Sequence, residues 1–86
     1  MEFDTIRTRR GWRLELAGHG QDPLVLEVVG SRVRDGTVRA AITVQRGKTP
    51  VCHDLVTLTS VQGRARFLGA LTAKGISIPE QALVAP

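Results

Sequence analysis

Residues 24–46 read LVLEVVGSRVRDGTVRAAITVQR, two runs rich in β-branched residues on either side of the dipeptide Asp35-Gly36. Asp-Gly between such runs is a strong signal for a β-hairpin, because a two-residue type I′ turn needs positive φ at both central positions. Glycine adopts positive φ without strain, and aspartate tolerates it. We therefore predict a tight hairpin here, formed by two consecutive antiparallel strands.

A two-residue loop also decides which residues of the two strands face each other. It places Arg32 directly opposite Arg39, so two arginines are expected side by side on one face of the sheet. Like charges in this position are destabilising unless they spread into water or share an anion. Two explanations stay open: an anionic ligand between the arginines, or Asp35 at the turn as their counter-ion.

Two strands are predicted before this hairpin. Residues 2–8 alternate loosely, and residues 12–16, WRLEL, alternate apolar and polar side chains without a break. Residues 9–11, RRG, are expected to form a three-residue turn with Gly11 at the left-handed position. Trp12 is expected to anchor the core, with a place at the basic turn as the alternative.

The later strands show two irregularities. The apolar residues of 24–34 change from one face to the other near Val29 and the glycine that follows it, where a bulge or a strong twist would reconcile them. A tight turn at Gly47-Lys48 leads into a fifth strand, about residues 50–58, whose apolar positions fall on both parities. The register of this fifth strand stays open.

A single helix is predicted after the strands. Thr59 followed by Gln62 matches a capping box, which satisfies two backbone N–H groups at a helix start. Lys74 and the glycine after it form a stop signal at the other end. Pro79 is expected to open a short final helical turn over an edge of the core. The predicted apolar stripe of the helix consists of Val61, Ala65, Phe67, Leu68 and Leu71.

The predicted fold is α+β: a five-stranded antiparallel β-meander, with strong curvature as an option, one α-helix packed on a face, and a short C-terminal helical turn. The 86 residues suit one small domain, residues 1–86, either complete or a module of a longer protein. One cysteine excludes an internal disulfide, and no run approaches the ~20 apolar residues that span a bilayer. We expect a cytoplasmic protein with no membrane partner.

The chain is basic, with a formal net charge of +4 and an excess of arginine over lysine. Arginine favours planar, bidentate contacts with phosphate, although a GC-rich genome also enriches it. In a meander, the first turn, the Asp35-Gly36 turn and the helix start fall at the same end of the sheet. The candidate nucleic-acid-binding residues at this end are Arg7, Arg9, Arg10, Arg13, Arg32, Arg34, Arg39 and Arg64, with Arg66 beside them.

A one-sided arginine cluster is the electrostatic pattern expected of a protein that contacts nucleic-acid phosphates. The sequence therefore favours a non-enzymatic module that binds DNA or RNA. One alternative is a protein–protein interaction or oligomerisation module, appended to a larger protein, that uses a free sheet edge. Another is a solvated basic rim that only keeps the domain soluble.

Residue types that could support catalysis or metal binding are present but poorly spaced. Cys52, His53 and Asp54 are consecutive, and alternation along a strand sends His53 to the opposite face from its two neighbours. A Cys–His pair would require His19 to come across from a distant loop. Two histidines and one cysteine fit no structural zinc spacing. We expect no enzymatic activity, no metal site and no cofactor.

Overall fold

The computed structural model describes residues 3–7, 10–16, 22–32 and 35–84. Strands that are consecutive in the sequence lie next to each other in the antiparallel sheet. The α+β class, the antiparallel sheet and the single helix with a short helical turn after it are confirmed. The elements are β1 (Phe3–Arg7), β2 (Gly11–Leu16), β3 (Leu24–Arg32), β4 (Val38–Arg46), β5 (Thr49–Thr57), α1 (Val61–Ala73) and a 3-10 turn (Glu80–Leu83).

The predicted sheet needs two corrections. Its suggested strong curvature is wrong, since the sheet is not strongly curled. The five predicted strands are all present in one sheet, and β1 pairs along the edge of β2. Of the two alternatives predicted near Val29, a bulge or a strong twist, the bulge is wrong, because β3 pairs with β4 without interruption. A strand without a bulge lacks the local kink that bends a sheet.

Alternation along the strands divides the sheet into a core face and an open face. The inward positions predicted for β2 and β4 are confirmed, and burying each large aliphatic side chain contributes about 1.5–3 kcal/mol. α1 and the C-terminal segment cover the core face. The strand residues buried on the core face are Trp12, Leu14, Leu16, Leu26, Val28, Ala40, Ile42, Val44 and Val56. The described side chains of the open face belong to Arg13, Glu15, Val25, Glu27, Val29, Arg39, Ala41, Thr43, Gln45, His53, Leu55 and Thr57.

Trp12 fastens the C-terminal segment to the sheet. Its indole Nε1 donates a hydrogen bond to the Ala82 carbonyl at 2.9 Å, and both residues are buried. Ile76, Ile78 and Leu83 are buried in the same core, as predicted for a segment that covers one edge. Trp12 is therefore a core anchor, in agreement with the favoured prediction.

The Asp35-Gly36 turn is not the predicted type I′ turn. Gly36 has a φ of 86°, but Asp35 lacks the positive φ that this turn type requires. The backbone N–H of Thr37 instead donates to Asp35 Oδ1 at 2.9 Å, so the aspartate side chain organises the turn. Hydrogen bonding from the Thr37 side chain, and then from its backbone N–H, lowers the pKa of the exposed Asp35 carboxyl.

The different turn shifts the pairing of β3 with β4 by one residue. Arg32 lies opposite Val38, and Arg39 lies opposite Ser31. The predicted Arg32–Arg39 pair is therefore wrong, and the two explanations offered for it lose their basis. A shift of one residue moves a side chain to the other face, since the side-chain period of a strand is two.

Gly11 was predicted to supply a left-handed turn residue, but the structure requires a glycine there for a different reason. The predicted three-residue turn at 9–11 would place Thr8 opposite Trp12, but Arg7 lies there, and Gly11 belongs to β2 without a positive φ. A Cβ atom at this position would lie 1.8 Å from the Val28 carbonyl oxygen. The absent side chain therefore permits the close approach of β2 and β3.

The apolar residues of the fifth strand fall on both odd and even positions because of a local irregularity in β5. Val44 pairs with Cys52 and Gln45 pairs with Pro50, so Val51 is an extra residue between them. This bulge reverses the facing of every residue after it. It leaves Val56 on the core face and Leu55 on the open face.

Helix α1 begins one residue later than predicted. Ser60 is the N-cap, and its Oγ accepts a hydrogen bond from the Gly63 N–H at 3.0 Å. The predicted cap, Thr59, instead accepts from the Val38 N–H at 3.3 Å. The two neighbouring hydroxyls therefore have different roles: that of Ser60 caps the helix, and that of Thr59 accepts a hydrogen bond from β4.

The buried stripe of α1 is narrower than predicted. Phe67 and Leu71 are buried as predicted, whereas Val61 is 69% exposed and Ala65 is exposed. The predicted stop is confirmed, because Gly75 follows the helix with a φ of 79°. Within the described ranges, no helix has the length and apolar content that crossing a bilayer requires.

The close approach at Gly11 predicts a strong effect of an added methyl group. We expect Gly11→Ala to lower the free energy of unfolding by about 3 kcal/mol, because overpacking against backbone has no cheap relief. Gly69→Ala is the matched control, because a Cβ there meets nothing within 4 Å. It should raise stability by ~0.5–1 kcal/mol through helix propensity. Urea denaturation measures both, and equal effects of the two substitutions would contradict the described β2–β3 contact.

Candidate nucleic-acid interface

The structure describes the side chains of four of the eight predicted arginines. Arg9 and Arg34 lie outside the described residues, and the strands fix only the backbone positions of Arg7 and Arg32. The four with described side chains are Arg10, Arg13, Arg39 and Arg64.

Arg10 and Arg39 come together on the open face. Both are exposed, and both line a groove of about 610 Å³ that we call the Arg10–Arg39 groove. Arg10 is held beside β3, because its carbonyl accepts a hydrogen bond from the Gly30 N–H at 2.9 Å. Within the described residues, neither arginine forms an ion pair. The Asp35 carboxylate at the hairpin turn interacts electrostatically with Arg39 without forming an ion pair, so both guanidinium groups keep their hydrogen-bond donors for an anion from solution.

The remaining lining of this groove is apolar. Val29, Ala41 and Leu55 supply its side chains, and Leu55 is 76% exposed. A smaller depression of about 270 Å³ continues from Arg39 and Leu55 toward Thr57. The backbone N–H of Leu55 donates to Asp54 Oδ1 at 2.8 Å, which fixes the chain at this point of the strand. The groove thus combines two cations with an exposed hydrocarbon surface.

Arg13 lies on the same face but in different electrostatic surroundings. Its Nη2 is 3.3 Å from Glu15 Oε1, and it lies opposite Glu27 in the β2–β3 pairing. Arg13 and Glu27 border a separate depression of about 420 Å³ that also includes Val25. An exposed ion pair of this kind contributes about 0–1 kcal/mol. Because two carboxylates surround Arg13, it adds little to the potential of the Arg10–Arg39 groove.

Arg64 serves the packing of the helix. Its Nε donates to Glu80 Oε1 at 3.1 Å, its Nη1 donates to the Leu58 carbonyl, and its side chain is only 19% exposed. It therefore joins α1 to the end of β5 and to the 3-10 turn. Arg66 is exposed on α1, in the layer behind the open face.

The apolar members of the groove were not among the predicted site residues. Leu55 is a large apolar residue at an outward-facing position of β5. Once the register of that strand is known, this position identifies Leu55 as part of an exposed apolar surface. The bulge at Val51 concealed that register, because it reverses parity within the strand. Val29 was assigned to a bulge that the structure does not contain.

The residues considered for catalysis are dispersed. Cys52 is half-buried opposite Val44, and this burial raises the pKa of its thiol, which lowers the reactive thiolate fraction at neutral pH. His53 lies on the open face, where its Nδ1 is 3.0 Å from Thr43 Oγ1. His19 lies outside the described residues. Among those described, no three His, Cys, Asp or Glu residues are close enough together to hold a metal ion.

Comparisons with models of protein families, with curated proteins and with solved structures found no match to this chain.

The structural role of Arg64 can be separated from binding. We expect Arg64→Gln to lower the free energy of unfolding by about 1–3 kcal/mol, since it leaves a partly buried carbonyl without its charged donor. Arg66→Gln, an exposed change on the same helix, should stay within ~0.5 kcal/mol of wild type. Both are measured by chemical denaturation. A loss with Arg64→Gln no larger than the loss with Arg66→Gln would contradict the fastening role.

Proposed function

We propose that the protein is a non-enzymatic module that binds nucleic acid through the phosphate backbone, with the Arg10–Arg39 groove as its contact surface. One observation supports this proposal above the others: two exposed arginines line the same groove, on a sheet face that no described helix covers. Neither arginine forms an ion pair within the described residues. The net charge of +4 favours the approach of a polyanion.

The distribution of charge along the open face supports the same surface. The acids described on that face, Glu15 and Glu27, lie around Arg13, away from the groove. Asp35, at the hairpin turn, is the described acid that interacts with Arg39, so the groove end of the sheet carries two arginines against one carboxylate. Backbone contacts of this kind position a nucleic acid and carry little sequence information. The use of a single cysteine in the chain fits the cytoplasmic setting that we propose for this activity.

The salt dependence of binding tests the proposal directly. Each arginine–phosphate contact should contribute about 0.7–0.9 to the slope of log affinity against log salt. Arg10→Gln and Arg39→Gln should each reduce the slope by this amount and weaken binding at low salt. Fluorescence anisotropy with a labelled oligonucleotide measures both quantities.

Arg66→Gln is the matched control, because it removes the same charge from the layer behind the open face. It should reduce affinity less than either groove substitution does. Equal losses in all three variants would indicate a response to net charge alone. Equal losses, or wild-type protein that binds no oligonucleotide at low salt, would contradict the proposal.

A protein–protein interaction or self-association module is the second candidate. It is favoured by the exposure of Leu55 on β5, a strand at the edge of the sheet. Edge strands offer unpaired backbone groups to a partner strand. Light scattering across a concentration series distinguishes this candidate, which requires a mass above that of the monomer.

A further inference from the structure

The apolar residues of the groove form one continuous row across the sheet. Val29 lies opposite Ala41, and Ala41 lies opposite Leu55, so their side chains are direct cross-strand neighbours on the open face. Gly11 lies opposite Val29 and adds no side chain at the end of the row. With strands ~4.8 Å apart, the three side chains from β3 to β5 span roughly 10 Å. We call Val29, Ala41 and Leu55 the apolar row.

The shape of this row suits a flat ligand. Ala41 is small and stands between the larger Val29 and Leu55, which leaves a depression in the middle of the row. Leu55 presents most of its surface to solvent, being 76% exposed. An exposed apolar patch with polar or charged residues at its rim often marks a binding surface. A ligand that covers the patch removes its apolar area from water, which is favourable.

The cations stand next to the row. Arg39 is two residues before Ala41 on β4, and therefore on the same face, in the next row toward the hairpin. Arg10 directly precedes Gly11, at the β2 end of the row. A ligand lying along the row thus meets hydrocarbon beneath it and a guanidinium at two places along its length.

A nucleic-acid duplex and a single strand differ in what they offer to such a surface. A duplex stacks its bases inside and presents phosphates and groove edges outward, so the apolar row would stay uncovered. A single strand can lay unstacked bases on apolar or aromatic side chains while its phosphates meet arginines. The pairing of an apolar row with two arginines matches the single strand.

We propose that the groove takes single-stranded nucleic acid, with bases on the apolar row and phosphates on Arg10 and Arg39. This inference rests on the proposed function and specifies its ligand. Among the described residues, the groove contains no aromatic side chain, so its base contacts are weaker than those of an aromatic platform. Binding is therefore of modest affinity and tolerant of sequence.

The test compares a labelled oligonucleotide of about ten nucleotides with a duplex of the same sequence, by fluorescence anisotropy at one salt concentration. Wild-type protein should bind the single strand about tenfold more tightly than the duplex. Leu55→Ser should weaken single-strand binding about fivefold or more, since a base contact is lost, and should leave the salt slope unchanged. Leu55→Met should retain wild-type binding.

Val61→Ser is the matched control. Val61 is 69% exposed, similar to Leu55, but lies on α1. This variant should bind like wild type, and thermal unfolding should show that both serine variants are folded.

The possible failures are distinguishable. Duplex binding as tight as single-strand binding, or a Leu55→Ser variant that binds like wild type, overturns the single-strand inference. If Arg39→Gln still lowers the salt slope in that case, the proposed function survives. Absence of binding to either oligonucleotide overturns both.

Discussion

The pairing of β3 with β4, continuous from Leu24 opposite Arg46 to Arg32 opposite Val38, determines what each face of the sheet carries. Strand side chains alternate, so a shift of one residue would exchange the two faces. In the observed register, Val28 and Ile42 face the core, while Val29 and Ala41 face outward. The candidate site is therefore a consequence of register rather than of any single residue.

The open face is uncovered because the described helix and C-terminal segment both pack on the opposite face of the sheet. α1 packs Phe67 and Leu71 into the core, and the C-terminal segment follows them to the hydrogen bond between the Trp12 indole and the Ala82 carbonyl. Arg64 holds the same layers together through Leu58 and is therefore not available as a binding group. One layer of helix and turn on a single sheet leaves the opposite face to solvent in the described part of the chain.

Alternation alone predicted the inward residues of β2 and β4, and the glycine after Lys74 predicted the end of the helix. The errors arose where a choice depends on distant atoms. Thr59 and Ser60 are chemically equivalent caps in sequence, and the proximity of Val38 decides between them. The sequence identified Arg10 and Arg39 but not Leu55, because one extra residue at Val51 reverses the parity of its strand.

The most direct test of the central claim is nuclear magnetic resonance of uniformly ¹⁵N-labelled protein titrated with a single-stranded oligonucleotide. We expect the largest amide shift changes to cluster on the open face, at Gly30, Arg39, Ala41 and Leu55. The amides of α1 around Arg66 should change little. Shift changes concentrated on α1, or spread evenly over both faces, would contradict the assignment of binding to the open face.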